Sequence, residues 1–186
     1  VENQNLIVRA KKGEKEEGEY PADAVEVTFA KGEGVTALDP ENKVLVLKSG
    51  EELEASDYPT VTVDTDNGYK EKDNNVDYYD VQPGAVTETK TATASADEKT
   101  DAEKYGDQLT AKDIVVWVGD TVDWTQGVET IDGVTFKSVE DASSRTTEAK
   151  GTYPGSLTVT FQDDSTATVE NQNLIVRAKK GEKEEG

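Results

Sequence analysis

Along most of the chain apolar and polar residues alternate with a period of two, the spacing at which successive side chains of a β-strand reach opposite faces. Residues 24–29 read AVEVTF, which sets Val25, Val27 and Phe29 against Glu26 and Thr28 and predicts a half-buried strand. After the turn residues of KGEGVTALDPEN, residues 43–50 (KVLVLKSG) predict a second strand. EELEAS is polar and leaves room for one helical turn. Residues 58–69 (YPTVTVDTDNGY) predict a third strand, carrying Val61 and Val63 and ended by an Asn67-Gly68 turn. Residues 76–81 and the threonine-rich 85–94 complete a small β domain. The latter has so little apolar bulk that an edge strand or an extended exit segment is expected.

Residues 95–106 (SADEKTDAEKYG) show no periodicity and many charges, so they are expected to mark a boundary. Beyond it, residues 113–124 (DIVVWVGDTVDW) hold both tryptophans and the densest apolar run. A second core is expected there, with Trp117 inside and Trp124 partly exposed. GVTFKSVED predicts a strand carrying Phe136. Leu157, Val159 and Phe161 then point one way, a turn follows at 162–165, and Ala167, Val169 and residues 174–176 return as the second arm of a terminal hairpin. Trp117, Phe136, Tyr153, Val159 and Phe161 are the expected structural residues of this half. The architecture expected is all-β: two small β domains in tandem, at 19–96 and 97–178, the second an immunoglobulin-like sandwich.

Residues 1–18, VENQNLIVRAKKGEKEEG, recur letter for letter as residues 169–186. Such a recurrence predicts one full period of a tandem array and the beginning of the next, with neighbouring copies of the same repeat as the natural partners. The alternative is two copies of a short motif flanking a unique domain. On the array reading, residues 1–18 are the end of a preceding repeat plus a linker, and residues 179–186 begin the next linker. KKGEKEEGEYP has nothing apolar to bury, and its two glycines disfavour a helix. The apolar run ahead of it resembles the end of a strand without a partner of its own. It would be disordered, added to an edge of the first domain, or paired with another molecule.

Composition narrows the setting. Only 33% of the 186 residues are hydrophobic, enough for one modest core or two small ones. With no Cys, stability does not come from disulfides or thiolate metal sites. Forty acidic against 20 basic residues give a formal charge of -20, which repels nucleic acid and anionic membrane surfaces, so neither is an expected partner. The lack of His removes the commonest general base and transition-metal ligand.

The second half resembles the closing part of the Rib and alpha-like domains, the tandem modules of Gram-positive cell-wall-anchored surface proteins. The matching positions are Asp141, Thr146, Thr147, Gly151, Thr152, Tyr153, Gly155, Val159, Phe161, Asp163, Ser165 and Val169, with Asp164 standing where that family usually has Gly. The family's pattern places a TYPDGS-type turn between the strands of its last hairpin. VTFAKGEGV, VLKSGEEL and YPTVTVDTDNGYK more distantly resemble small β modules of similar surface adhesins, though Tyr69 is followed by Lys70 where those continue with an aromatic pair. The resemblance implies a Rib-like second domain, an extracellular location anchored to the wall through a region outside these residues, and a stalk that projects an adhesive region. Direct binding of a host protein or glycan is the alternative.

Candidate chemistry is sparse. Asp73, Asn75 and Asp77, with Asn74 and Asp80, offer oxygens at alternate positions in an expected loop and are calcium candidates; a solvated loop is the competing reading. Asp64, Asp66 and Asn67 raise the same question beside a turn, and Asp163 and Asp164 read as turn residues. Lys43 and Lys137 lie beside strands, where an intramolecular Lys–Asn or Lys–Asp amide could form, but no pair is singled out. Trp117, Trp124 and Tyr153 could line a carbohydrate platform or fill the core. Without His and without a GxSxG sequence, no catalytic constellation stands out, and the chain is expected not to be an enzyme.

Overall fold

Strand alternation governs the computed structural model, which describes residues 2–185. The chain is mostly β, 40% strand against 12% helix, in several small sheets. It divides into two units, one closing at Glu98 and one opening at Lys99.

The first unit contains β1 (Lys12–Glu14), β2 (Ala24–Lys31), β3 (Val35–Asp39), β4 (Val44–Lys48), β5 (Glu52–Leu53), β6 (Thr60–Val63), β7 (Tyr69–Lys70), β8 (Gly84–Ala85), β9 (Lys90–Ala94) and β10 (Asp97–Glu98). Its main sheet runs β1-β4-β2-β9, while β3 pairs with β6, β5 with β8 and β7 with β10. Val25, Val27 and Phe29 of β2 are all buried, and the threonine-rich β9 lies at the sheet edge, parallel to β2, with Ala92 and Ala94 turned inward. Small side chains suffice there because the rings opposite are large. Phe29, Tyr58 and Tyr79 meet with centroids 4.9–5.8 Å apart.

Several expectations for this half are corrected. The polar stretch after Lys11 is not a free linker, because Lys12–Glu14 add to the edge of β4 in register with Leu45 to Leu47. Backbone pairing needs no apolar side chain, and Lys12 Nζ donates to Glu54 at 3.1 Å and Asp57 at 2.8 Å. Residues 76–81 are not a strand; a 3-10 turn at Asn75–Tyr78 brings Tyr78 and Tyr79 to the core. Residues 95–106 are divided between the units. Asp97 and Glu98 pair with β7, whereas Asp101–Tyr105 form a helix, α1, opened by a capping box of Thr100 and Glu103.

In the second unit, after α1, come β11 (Ile114–Trp117), β12 (Phe136–Asp141), β13 (Gly151–Phe161) and β14 (Thr166–Arg177). They form one sheet in the order β11-β14-β13-β12, with β11 parallel to β14 and the other pairs antiparallel. The terminal hairpin has the expected strands and turn, and Asp164 takes the left-handed conformation at φ 68. TYPGS therefore lies within β13 rather than at a turn. Leu157, Val159, Phe161 and Val169 form a core with half-buried Phe136, which meets Phe161 edge-on at 5.7 Å. The turn also holds α1: Asp101 N–H donates to Asp163 Oδ2 and Ala102 N–H to Ser165 Oγ. The Ser165 hydroxyl, followed by the Asp101 N–H, keeps the Asp163 carboxyl below its ordinary pKa.

The aromatic cluster of the first unit has a pH signature. Tyr58 donates to Val81 O at 2.8 Å and Tyr79 to Pro59 O at 2.7 Å, and burial pushes both phenols up to about 12. A raised phenol stabilises the fold fully below its unfolded value of 10.0, and that contribution is lost as the pH climbs through about 12. The first unit should lose on the order of 2–3 kcal/mol per phenol across this window. Following phenolate absorbance and circular dichroism together tests this: the late phenolate signal should rise with loss of β structure. Ionisation of every tyrosine near 10.0 with the fold intact would contradict it.

Candidate functional site

The calcium candidates do not assemble. Asn75 spends both ends of its amide on backbone, Oδ1 accepting from Val61 N–H at 2.9 Å and Nδ2 donating to Pro59 O at 2.8 Å. Asp73 and Asp77 stay exposed, and Asp80 accepts the Thr93 N–H. The 3-10 turn that starts at Asn75 breaks the alternation on which the oxygen pattern depended. Among the described residues, no group of three or more His, Cys, Asp or Glu could hold a metal ion. Asn67 donates to Asp64 at 2.8 Å, a local turn contact. Lys43 Nζ donates to the Asp57 carbonyl at 2.7 Å, and Lys137 pairs with Asp164 on the surface.

Trp117 leaves its expected place in the core, whereas Trp124 is partly exposed as expected. Ile114 and Val116 face the core, so alternation turns Val115 and Trp117 outward, and Trp117 is 53% exposed. Trp124 is half-buried between the two apolar clusters of the unit, with the Arg145 guanidinium 4.9 Å from its ring centroid. Trp124 and Tyr153 pack on the cluster around Ile114 while Trp117 faces away, so the three do not share one platform.

The residues that most tightly position the repeated segment are Arg145 and Gln172, neither of which the sequence reading singled out. Arg145, with a 5% exposed side chain, pairs with Asp141 at 3.0 Å and donates from Nη1 to the carbonyls of Tyr153 at 2.9 Å and Gln172 at 2.8 Å. Those carbonyls flank the bulge of the hairpin, where the register shifts between Gly155 and Leu157 and Asn171 adopts φ 57. Gln172 is fully buried and donates to the carbonyls of Lys112 and Asn173.

The motif residues around Arg145 have separable roles. Asp141 accepts the Arg145 N–H at 2.6 Å, Thr147 donates to Asp120 O, and Tyr153 OH donates to Ala149 O at 2.7 Å, closing the loop between β12 and β13. Gly155 leaves room for the guanidinium and for Ser143, since a Cβ there would lie 2.7 Å from Ser143 Oγ and 2.8 Å from Arg145 Cζ and Nε. Pro154 is tolerated because β12 pairs with β13 only from Leu157 onward, so its missing N–H removes no bond on that side.

The two copies of the repeated segment sit in different surroundings. In the second, Leu174 and Val176 are 0% and 2% exposed, between β11 and β13. In the first, Leu6, Ile7 and Val8 are 89%, 55% and 81% exposed and belong to no strand. Yet both copies close the same loop. Arg9 pairs with Glu16 at 2.7 Å and donates to Glu17 O; Arg177 pairs with Glu184 at 3.1 Å and donates to Glu185 O.

Replacing Arg145 by Ala leaves Asp141 without its cation in a buried setting and should cost about 3–5 kcal/mol. Gly155→Ala should cost about 1–3 kcal/mol by overpacking, and less, though not nothing, once Arg145 is already Ala, because the clash with the guanidinium is then gone while the one with Ser143 Oγ remains. Both tryptophans belong to the second unit, so fluorescence-monitored urea unfolding reads this cycle directly. Additive effects of the two substitutions would show that the guanidinium does not occupy the space above Gly155.

Compared with protein-family models and with curated proteins, the chain matches none.

Proposed function

We propose that this chain is a non-catalytic spacer repeat of a bacterial cell-surface protein, a stalk element that carries an adhesive region away from the wall. The observation that carries the reading is the eighteen-residue identity, whose two copies form the same arginine-closed loop one period apart. Repetition adds length in whole modules, and the stability of an array is close to the sum of its modules and their junctions. The acidic charge supports a soluble shaft that repels its neighbours. The resemblance of residues 141–169 to Rib-like domains supports an extracellular, wall-anchored setting. A Rib-like, immunoglobulin-like kinship of the second unit belongs to the same proposal and is supported by its long terminal hairpin.

A second reading, direct binding of a host protein or glycan, is favoured by the outward pair Val115 and Trp117 on β11. Small-angle scattering separates the two. A chain of two periods should show a maximum dimension near twice that of one period, with an unchanged cross-section. A compact two-period particle would overturn the spacer reading and leave the β11 face as the surface to screen for ligands.

A further inference from the structure

We infer that the repeated eighteen residues are a junction element that supplies the closing strand of one module and the opening strand of the next, so that Leu6, Ile7 and Val8 have as their partner the second unit of an upstream copy of this chain. The inference deepens the spacer reading and rests on it.

Each copy makes one half of a set of pairings. The second copy makes the upstream half: Leu174 to Arg177 lie in register with Ile114 to Trp117 on one side, and Gln172 to Val176 pair with β13 on the other. Its downstream half, residues 180–182, forms no strand. The first copy makes the downstream half: Lys12–Glu14 pair with β4, and the pairing is continued by Lys48 N–H to Lys11 O at 2.7 Å and Lys15 N–H to Val44 O at 2.9 Å. Its upstream half is the exposed Leu6-Ile7-Val8. Since the two copies are identical, the difference lies only in which partner sheet is at hand. The slot that fits Leu6 and Val8 is therefore the one that buries Leu174 and Val176, among Ile114, Val116 and Tyr153.

Local geometry agrees with this. Asn3 holds φ 65, matching φ 57 at Asn171, so the first copy carries the conformation of the strand bulge with no sheet around it. Among the described residues, the exposed large apolar side chains are Leu6, Ile7, Val8, Val115 and Trp117. All five belong to the repeated segment or to β11, the strand paired with it. An apolar strand left bare at one copy and buried at the other is what a missing neighbour module produces.

The connection between modules is then very short. The upstream strand ends at the equivalent of Arg177, which is Arg9, and β1 begins at Lys12, leaving only Ala10 and Lys11 between two sheets. Arg9 fastens this point further, donating to Glu19 O at 3.1 Å and stacking 4.6 Å from the Tyr20 ring centroid. The KKGEKEEG stretch acts as a clamped joint rather than a flexible linker.

Hydrogen exchange on a two-period chain tests this. STAT precedes the middle and last copies and EYPAD follows the first and middle ones, so a peptide carrying both flanks reports the middle copy alone, and fragmentation of that peptide after exchange resolves its two halves. Both halves of the middle copy should be protected, the amides equivalent to Leu174–Arg177 and those equivalent to Lys12–Glu14 exchanging on the order of 100-fold more slowly than the unpaired halves of the two terminal copies. Protection of only one half in the middle copy would overturn the inference even if scattering still shows an extended rod. Protection of residues 6–8 that appears in the single-period chain as its concentration rises would place their partner in a separate molecule and overturn it too.

Discussion

A strand can keep both Val169 and Leu174 on its buried face only if one extra residue is inserted between them, because alternation places positions five apart on opposite faces. The bulge at Asn171 is that insertion, and the second unit is built around it. A bulge breaks the ladder locally and exposes carbonyls to an apolar interior, where unpaired polar groups are costly. Arg145 meets this need with a single guanidinium that reaches the carbonyls of Tyr153 and Gln172, while Asp141 balances its charge. Gly155 below it and Trp124 above it define the slot. The cluster is not fully satisfied, since Arg145 Nη2 and Gln172 Oε1 are buried without partners. A buried ion pair of this kind is weak support for stability but strong support for register: a slipped hairpin would strand the guanidinium among apolar side chains.

The first unit reaches the same end by different means. Its sheets are short, several of only two residues per strand, and little ladder energy is available from each. The packing of Phe29, Tyr58 and Tyr79 ties them together, and both tyrosine hydroxyls reach backbone carbonyls of the segments that join the small sheets. Aromatic rings with polar tips suit a chain with so few apolar residues, since each covers a large area and also satisfies a loop carbonyl.

The strands legible in the sequence were those with an alternating face, at 24–29, 43–50, 58–69, 133–141 and the terminal hairpin, together with the threonine-rich edge strand within 85–94. Of the elements that were missed, β3 carries buried Leu38 but was hidden by the Gly, Asp and Pro residues around it, which read as a turn, whereas β1 and α1 are held by groups with no hydrophobic signal. Strand β1 is a backbone addition fixed by Lys12. Helix α1 was announced only by Thr100 and Glu103 at capping-box spacing, and half of its anchoring comes from the distant Asp163 and Ser165. In IVVW the pattern did separate Ile114 and Val116 from Val115 and Trp117. It could not say which pair faces inward, because that depends on the partner sheet, and the size of the indole pointed the wrong way. Arg145 and Gln172 were illegible for a related reason: polar residues enter a core only where a three-dimensional irregularity calls for them. The calcium candidates failed because Asn75 was needed by the backbone at Pro59 and Val61.

The repeated segment shows how much of a strand is specified by its own residues and how much by its neighbours. Identical text gives identical local features in both copies, the left-handed asparagine and the arginine–glutamate closure, since these depend on contacts within a few residues. It gives opposite sheet membership, since a ladder requires a partner and short strands have little stability alone. Leu6 and Leu174 differ by the whole of their burial without differing in sequence. The apolar character of LIV is therefore matched to a sheet supplied from elsewhere in the first copy and from within the unit in the second. A segment whose first half suits one sheet and whose second half suits another is under two constraints at once.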